Sequence, residues 1–317
     1  MKVLFLCAHP DDLEFSIPSL MLTMSCIAED TKKRERCESL SKAIIQGSNH
    51  LCKKMKASEI AIKVASMTRG EMSKFTDRVK STKKAAIIRS HELEGSQLIL
   101  TGKIPDFLGF VDGYIRITDD TIKSVKNYFE LLKPDIIIAP EPIYTWYHHP
   151  DHVRTGKIAY FAIRRIIKET EKNNIDKKIP RLFYFQSIWN DWYFPRFPSH
   201  QKAINKALKE HKSQAAILIE AKIPGFLEKI IHGLKIQNCP FGESLRYQPI
   251  MSIQNQNKHA KHRFDKHHKR FKNLGLIKRL IYYATTSIFN VFEVNEYDER
   301  YQFFDGTLDP RISKSWE

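Results

Sequence analysis

Short apolar runs alternate with longer stretches of helical period through the first two thirds of the chain. Val3-Leu4-Phe5-Leu6-Cys7 is an unbroken apolar run of strand length, and Glu59–Met67, Asp135–Ala139 and Arg181–Ser187 repeat the pattern. Between and after these runs, residues 17–28, Thr31–Lys56, Lys83–Ser96, Thr121–Leu132, Val153–Thr170 and Ile204–Ile231 read as helices, and Pro134 closes the fourth of them. The glycines of Phe107–Gly113 mark a loop. Strands that alternate with helices predict an α/β fold, a Rossmann-like three-layer sandwich with a mostly parallel sheet.

Composition narrows the class. A chain of 317 residues with 42% hydrophobic content buries its own core without covalent staples. Five cysteines (Cys7, Cys26, Cys37, Cys52 and Cys239) form no C-x-x-C pair, so neither a disulfide framework nor a cysteine zinc site is expected, and a reducing cytoplasm fits. The apolar start is too short for a secretory signal. No stretch reaches the roughly 20 apolar residues that span a bilayer, Phe15–Ala28 and Leu280–Phe292 included.

The formal net charge of +16 points to an anionic surface, a phosphate-bearing substrate or a nucleic acid. Much of it is concentrated between Lys258 and Arg279, where four histidines are interleaved with the basic residues and Asp265 is the lone acid. Leu276–Phe292 follows, rich in Leu, Ile, Tyr and Phe. Residues 251–317 are therefore expected as a basic helical C-terminal extension. It would either meet an anionic membrane or glycolipid at the inner membrane surface or dock on the core. Zinc-finger spacing, RNP-like aromatics and a heptad-linked basic region are all missing, which ranks nucleic acid below the other partners. Residues 31–56 read as a charged helical insertion in the preceding domain, 1–250.

Chemistry gathers in Ala8-His9-Pro10-Asp11-Asp12-Leu13-Glu14, directly after the first strand, where an open α/β sheet collects its ligands. Pro10 stiffens the turn, so His9 and Asp12 can converge on one point while Asp11 points elsewhere. A His with a carboxylate suits a borderline divalent ion such as zinc, which takes three protein ligands in catalytic sites and leaves a position for water. The third ligand must come from farther along, and Trp146-Tyr147-His148-His149-Pro150-Asp151-His152, behind the Asp135 strand, is the best source. Plainer readings stand beside these. Asp12 can cap the helix that follows, His148 reads as structural, Glu14 reads as a helix-start or supporting residue, and Asp112 can be a turn aspartate. Arg89 and Glu92, three apart on one helix, are expected to pair with each other.

Taken together, Ala8–Asp12 with Glu14, and His149–His152, make the chain resemble the zinc-dependent de-N-acetylases of the PIG-L/LmbE type. Weaker echoes are Thr68–Glu71, Arg89 with Glu92, Phe107–Gly113, and Lys206-Ala207 followed by His211–Gln214. The resemblance implies His9, Asp12 and His152 as ligands of Zn2+ or another divalent ion. It further implies Asp11 as general base, His149 as a polar group at the reacting carbonyl, and hydrolysis of an N-acetylated amino sugar to acetate and a free amine. Asp112 and Arg69 are expected near the substrate; Tyr144 and Trp146, or the Trp189–Phe194 cluster, can form a stacking platform for a sugar, with core packing the role expected of most of these aromatics. The family's glycine pair after the Glu is replaced here by Phe15–Ser19. A basic polyanion- or membrane-binding protein on an idle deacetylase-like scaffold is the alternative.

Overall fold

The computed structural model describes residues 1–29, 60–73, 79–143, 145, 149–174, 178–187, 192–214, 242–248 and 250. The insertion at 31–56 and the extension at 251–317 lie outside the described residues.

Seven strands form one sheet: β1 (Lys2–Cys7), β2 (Ala61–Ser66), β3 (Asp106–Phe107), β4 (Ile136–Pro140), β5 (Arg181–Phe185), β6 (Trp192–Pro195) and β7 (Gly242–Gln248). Their spatial order is β3-β2-β1-β4-β5-β7-β6. The first five run parallel to one another, β7 pairs antiparallel with β5, and β6 pairs antiparallel with β7. Among the described residues, the α-helices are α1 (Asp12–Ser16), α2 (Pro18–Glu29), α3 (Thr82–Leu100), α4 (Asp119–Leu132), α5 (Pro150–Asn173) and α6 (Gln201–Glu210).

Because successive strand residues face opposite sides, β1 feeds two cores. Leu4 and Leu6 join Ile137, Val125, Phe129, Ile158 and Ile163 beneath α4 and α5. Val3, Phe5 and Cys7 join Ile138, Leu13, Met21 and Ile204 beneath α1, α2 and α6. This is why the opening run reads as continuously apolar rather than alternating.

Helix ends follow local chemistry. Thr118 and Thr121 form a capping box at the start of α4, and Lys133 ends it in the left-handed conformation just before Pro134. Where the glycine pair is missing, the chain breaks at Ile17 (φ −136°, ψ 36°) and restarts at Pro18. The carboxylate of Glu243 from β7 then accepts the Ser19 and Leu20 backbone N–H groups at 2.8 and 2.9 Å, an anion seated at a helix N-terminus.

One expectation changes. The helix expected over 204–231 stops at Glu210, and a short 3-10 turn, Lys212–Gln214, follows. His211 leaves helical geometry (φ −79°, ψ 58°) because it is drawn into the interior toward Glu14, while Ser213 N donates to Glu92 Oε1 at 2.8 Å. Half of the Trp189–Phe194 stretch is strand β6, whose Phe194 is buried in the core. Among the described residues, no helix is long and apolar enough to cross a membrane.

The chain runs outward from β1 through β2 to β3, then returns to β4 on the other side of β1. The carboxyl ends of β1 and β4 thus form the switch point of the sheet, where loops diverge and leave a crevice.

Candidate active site

The loop leaving β1 is folded around one carboxylate. Asp12 Oδ2 accepts the N–H groups of Ala8 (3.0 Å) and His9 (2.9 Å), so Asp12 reaches backward over the loop. It is the first residue of α1 and not its cap; the N-cap position is held by Asp11, whose side chain makes no capping bond. The other oxygen, Asp12 Oδ1, lies 3.0 Å from His152 Nε2 and 3.8 Å from His9 Nδ1. Burial works to raise the Asp12 pKa, but the two imidazoles hold it well below the usual carboxylate range.

His152 arrives from the first turn of α5, which begins at Pro150, three residues before the expected Val153. Proline suits that first position because its missing N–H would have no intrahelical partner. Gly156 lets the helix come close: a Cβ there would sit 2.3 Å from the Pro140 carbonyl oxygen at the end of β4. This contact seats His152 Nε2 at 3.2 Å from His9 Nδ1. His149, the N-cap, accepts the Asp151 N–H through Nδ1 at 3.3 Å, and its ring meets that of His9 edge-on at 4.7 Å. Burial first, then the neighbouring imidazoles of His9 and His152, push the His149 pKa down to about 3.

On the far side of His9, Nε2 faces Asp112 Oδ1 at 3.1 Å and Asp151 Oδ2 at 3.2 Å. Both carboxylates are themselves anchored, Asp112 by the Met72 N–H (2.9 Å) and Asp151 by the Gly113 N–H (2.7 Å). Burial disfavours the charged imidazole, yet the carboxylates around it, Asp112 foremost, raise the His9 pKa well above its ordinary value. Sequence reasoning does not single out Asp151; its place inside the His149–His152 motif is the available signal.

Asp11 stands apart, as Pro10 predicts, in a backbone conformation rare for a side-chain-bearing residue (φ 123°). Burial lifts its carboxyl to about 6, against the pull of Arg89, whose Nη2 lies 3.2 Å from Asp11 Oδ2. The expected Arg89–Glu92 pairing gives way to separate partners. Arg89 reaches into the loop after β1, and Glu92 receives the Ser213 N–H and hydroxyl at 2.8 and 2.5 Å. Glu14 is fully buried, accepting from Ser96 and from Gln97 Nε2 (2.6 Å) with His211 Nε2 at 3.6 Å. Arg69 donates to Ser90 Oγ at 2.8 Å and lies 4.5 Å over the Phe107 ring. Tyr144, Trp146, His148 and Trp189 lie outside the described residues.

The donor set fits a divalent ion. His9 Nδ1, Asp12 Oδ1 and His152 Nε2 are 3.0–3.8 Å from one another; ligands about 2 Å from a tetrahedral zinc are spaced about 3.3 Å apart. Two other groupings, His9-His149-His152 and His9-Asp112-Asp151, also bring one ligand atom each within 4.8 Å. In the second, the imidazole N–H of His9 meets two carboxylates, the usual way of aiming the other ring nitrogen at a metal.

Residues 45–163 match the family model for PIG-L, described as GlcNAc-PI de-N-acetylase. The chain carries a PIG-L domain. That match takes in Arg69, Arg89, Asp112 and His149–His152, and begins downstream of His9, Asp11 and Asp12. No curated protein matches the chain. Among solved structures, N,N'-diacetylchitobiose deacetylase from Pyrococcus horikoshii is similar at TM-score 0.59 and 21% identity, over 78% of this chain and 84% of that one. GalB, the 4-carboxy-2-hydroxymuconate hydratase of Pseudomonas putida, superposes at TM-score 0.54 and 16% identity over 79% and 98% of the two chains. The conserved protein TT1542 of Thermus thermophilus does so at 0.53 and 17%, over 78% and 95%. A deacetylase and a hydratase thus share this fold with the chain, and the reaction must be argued from the site's own groups.

Proposed function

We propose that this PIG-L chain is a metal-dependent hydrolase that removes the acetyl group from an N-acetylglucosamine-type sugar in a lipid-linked, nucleotide-linked or oligosaccharide conjugate. The observation that carries the reading is the convergence of His9, Asp12 and His152 donor atoms within 3.8 Å, with Asp11 and His149 alongside. A divalent ion held there supplies acidity to a water molecule and polarises the acetamide carbonyl.

The protein's own groups account for the remaining steps. Asp11 takes the proton as the water oxygen adds to the acetyl carbon, and returns it to the nitrogen as the C–N bond breaks, because an amide anion is a poor leaving group. Since His149 Nδ1 accepts the Asp151 N–H, the neutral ring carries its proton on Nε2 and can donate to the developing oxyanion. Such a donor is typically worth about 3 kcal/mol. Asp112 and Asp151 face His9 Nε2, and by accepting its N–H they would leave Nδ1 available to hold a divalent ion. In this reading Asp112 serves His9 in place of the substrate contact expected of it, its two oxygens facing His9 and the Met72 N–H.

The test is acetate and free-amine release from a panel of N-acetylglucosamine conjugates by the full chain. Release is expected to stop with a chelator, to return with zinc or another divalent ion, and to be lost in Asp11→Asn. A metal-loaded native chain that releases no acetate from any conjugate refutes the proposal, and so does an Asp11→Asn variant as active as the native chain.

A further inference from the structure

Arg89 sits in the middle of α3, almost wholly buried, and its bonds leave the helix. Nη1 donates to the Gly70 carbonyl oxygen (2.7 Å) in the loop after β2. Nη2 donates to the Pro10 carbonyl oxygen (2.9 Å) and to Asp11 Oδ2 (3.2 Å) in the loop after β1. One planar guanidinium thus ties together two loops at the carboxyl end of the sheet and grips the backbone beside Asp11 as well as its carboxylate.

That grip falls where the backbone resists. At φ 123° Asp11 occupies a region that side-chain-bearing residues rarely adopt, and no capping bond ties its carboxylate to α1. Such a conformation persists only where the surroundings over-determine it. Gly70 shows how closely the clamp is fitted: at φ 68°, a Cβ would lie 2.1 Å from Arg89 Nη1. A lysine cannot imitate the arrangement, because a single ammonium on a flexible stem lacks the rigid fork that reaches several acceptors at once.

We infer that Arg89 is a positioning residue, holding the main chain and carboxylate of Asp11 together in the place the reaction needs. Its activity readouts rest on the deacetylase reading, and its structural readout does not.

The experiment compares Arg89→Met and Arg89→Lys with the native full chain. Arg89→Met is expected to keep native zinc stoichiometry and to lose about 100-fold in kcat with KM little changed, the size of effect that a misplacement of about 1 Å produces. Added guanidinium ion restores part of that kcat and restores none to Asp11→Asn, while Arg89→Lys recovers little. In the crystal structure of Arg89→Met, Asp11 leaves positive φ. An unmoved Asp11, or a kcat loss wholly matched by lost zinc or lost fold, overturns the inference. Should Arg89→Met not fold, Gly70→Ala displaces the guanidinium while keeping its charge. The same kcat loss with a moved Asp11 supports the clamp, and an unmoved Asp11 sinks it. If the native chain releases no acetate, the deacetylase reading fails, and the Asp11 conformation in the variants decides the clamp by itself.

Discussion

Two of the clusters of buried charge on this sheet are arranged differently. At the β1/β4 switch point three carboxylates, Asp12, Asp112 and Asp151, face the imidazoles of His9 and His152, and a fourth, Asp11, sits partly exposed on a strained backbone. At the antiparallel edge the charges are matched. Arg246 donates through Nε and Nη2 to both oxygens of Glu141 at 2.5 and 2.8 Å, and Glu243 takes two successive amides of α2. Asp11 aside, both sets are nearly solvent-free, so burial alone does not distinguish them. At the edge, acceptor and donor balance within the protein. At the switch point carboxylate oxygens and imidazole nitrogens face a common centre, a donor set that a divalent cation would suit.

The sharpest way to break this comparison is Asp11→Asn. General acid–base groups contribute about 10²–10⁴-fold, so kcat is expected to fall by that range, while stability does not fall. Asn tolerates positive φ better than most residues. The sign of the pH effect supports the second half. Folding lifts the Asp11 carboxyl from 3.8 to about 6, so between those values the folded chain holds a proton that the unfolded chain has released. Stability from this group therefore declines as pH rises through that window. Thermal unfolding of metal-free protein at pH 8 should place Asp11→Asn at or above the native chain, and the native kcat/KM should climb with pH up to about 6. A clearly lower melting temperature would make Asp11 a structural residue like those of the edge.

The matching substitution at the edge is Arg246→Met. Removing one partner strands a buried carboxylate and costs about 3–5 kcal/mol, read as a lowered urea midpoint, with the kcat of the folded fraction unchanged. The double variant Glu141→Gln/Arg246→Met, which removes both charges, recovers most of the loss. If activity fell with stability in both, the edge would belong to the site and the contrast would disappear.

Sequence made one side of this contrast legible and hid the other. The strands at 3–7, 61–66, 136–140 and 181–185 were readable because two-sided burial leaves an unbroken apolar run. The convergence of His9, Asp12 and His152 was legible because short motifs keep their polar groups local. β7 was not, since Glu243, Ser244 and Arg246 look like a solvated stretch until their partners on α2 and β4 are known. Arg89 and Glu92 satisfy the helical pairing rule, yet each is buried toward a different segment, so tertiary partners override the local preference. The same override ends α6 at Glu210, where His211 turns inward to Glu14.

Glu243→Gln refines the comparison with a smaller effect. Asp12 and Glu243 perform one common task, accepting two successive backbone amides, at Ala8 and His9 for the former and at Ser19 and Leu20 for the latter. An amide side chain keeps one acceptor and sets an N–H against the other donor, and it removes the negative charge favoured at a helix N-terminus. For a buried site of this kind the loss should be about 1–2 kcal/mol, seen in chemical denaturation with kcat and zinc content untouched. In Asp12→Asn the carbonyl oxygen can still accept both amides, since Asp12 Oδ2 alone takes them, and the change falls on Oδ1, which faces His9 and His152, so on the proposed metal reading zinc affinity should fall with little loss of these bonds. Equal zinc affinity in the two variants would mean that the amide bonds, shared by both positions, are all that Asp12 provides.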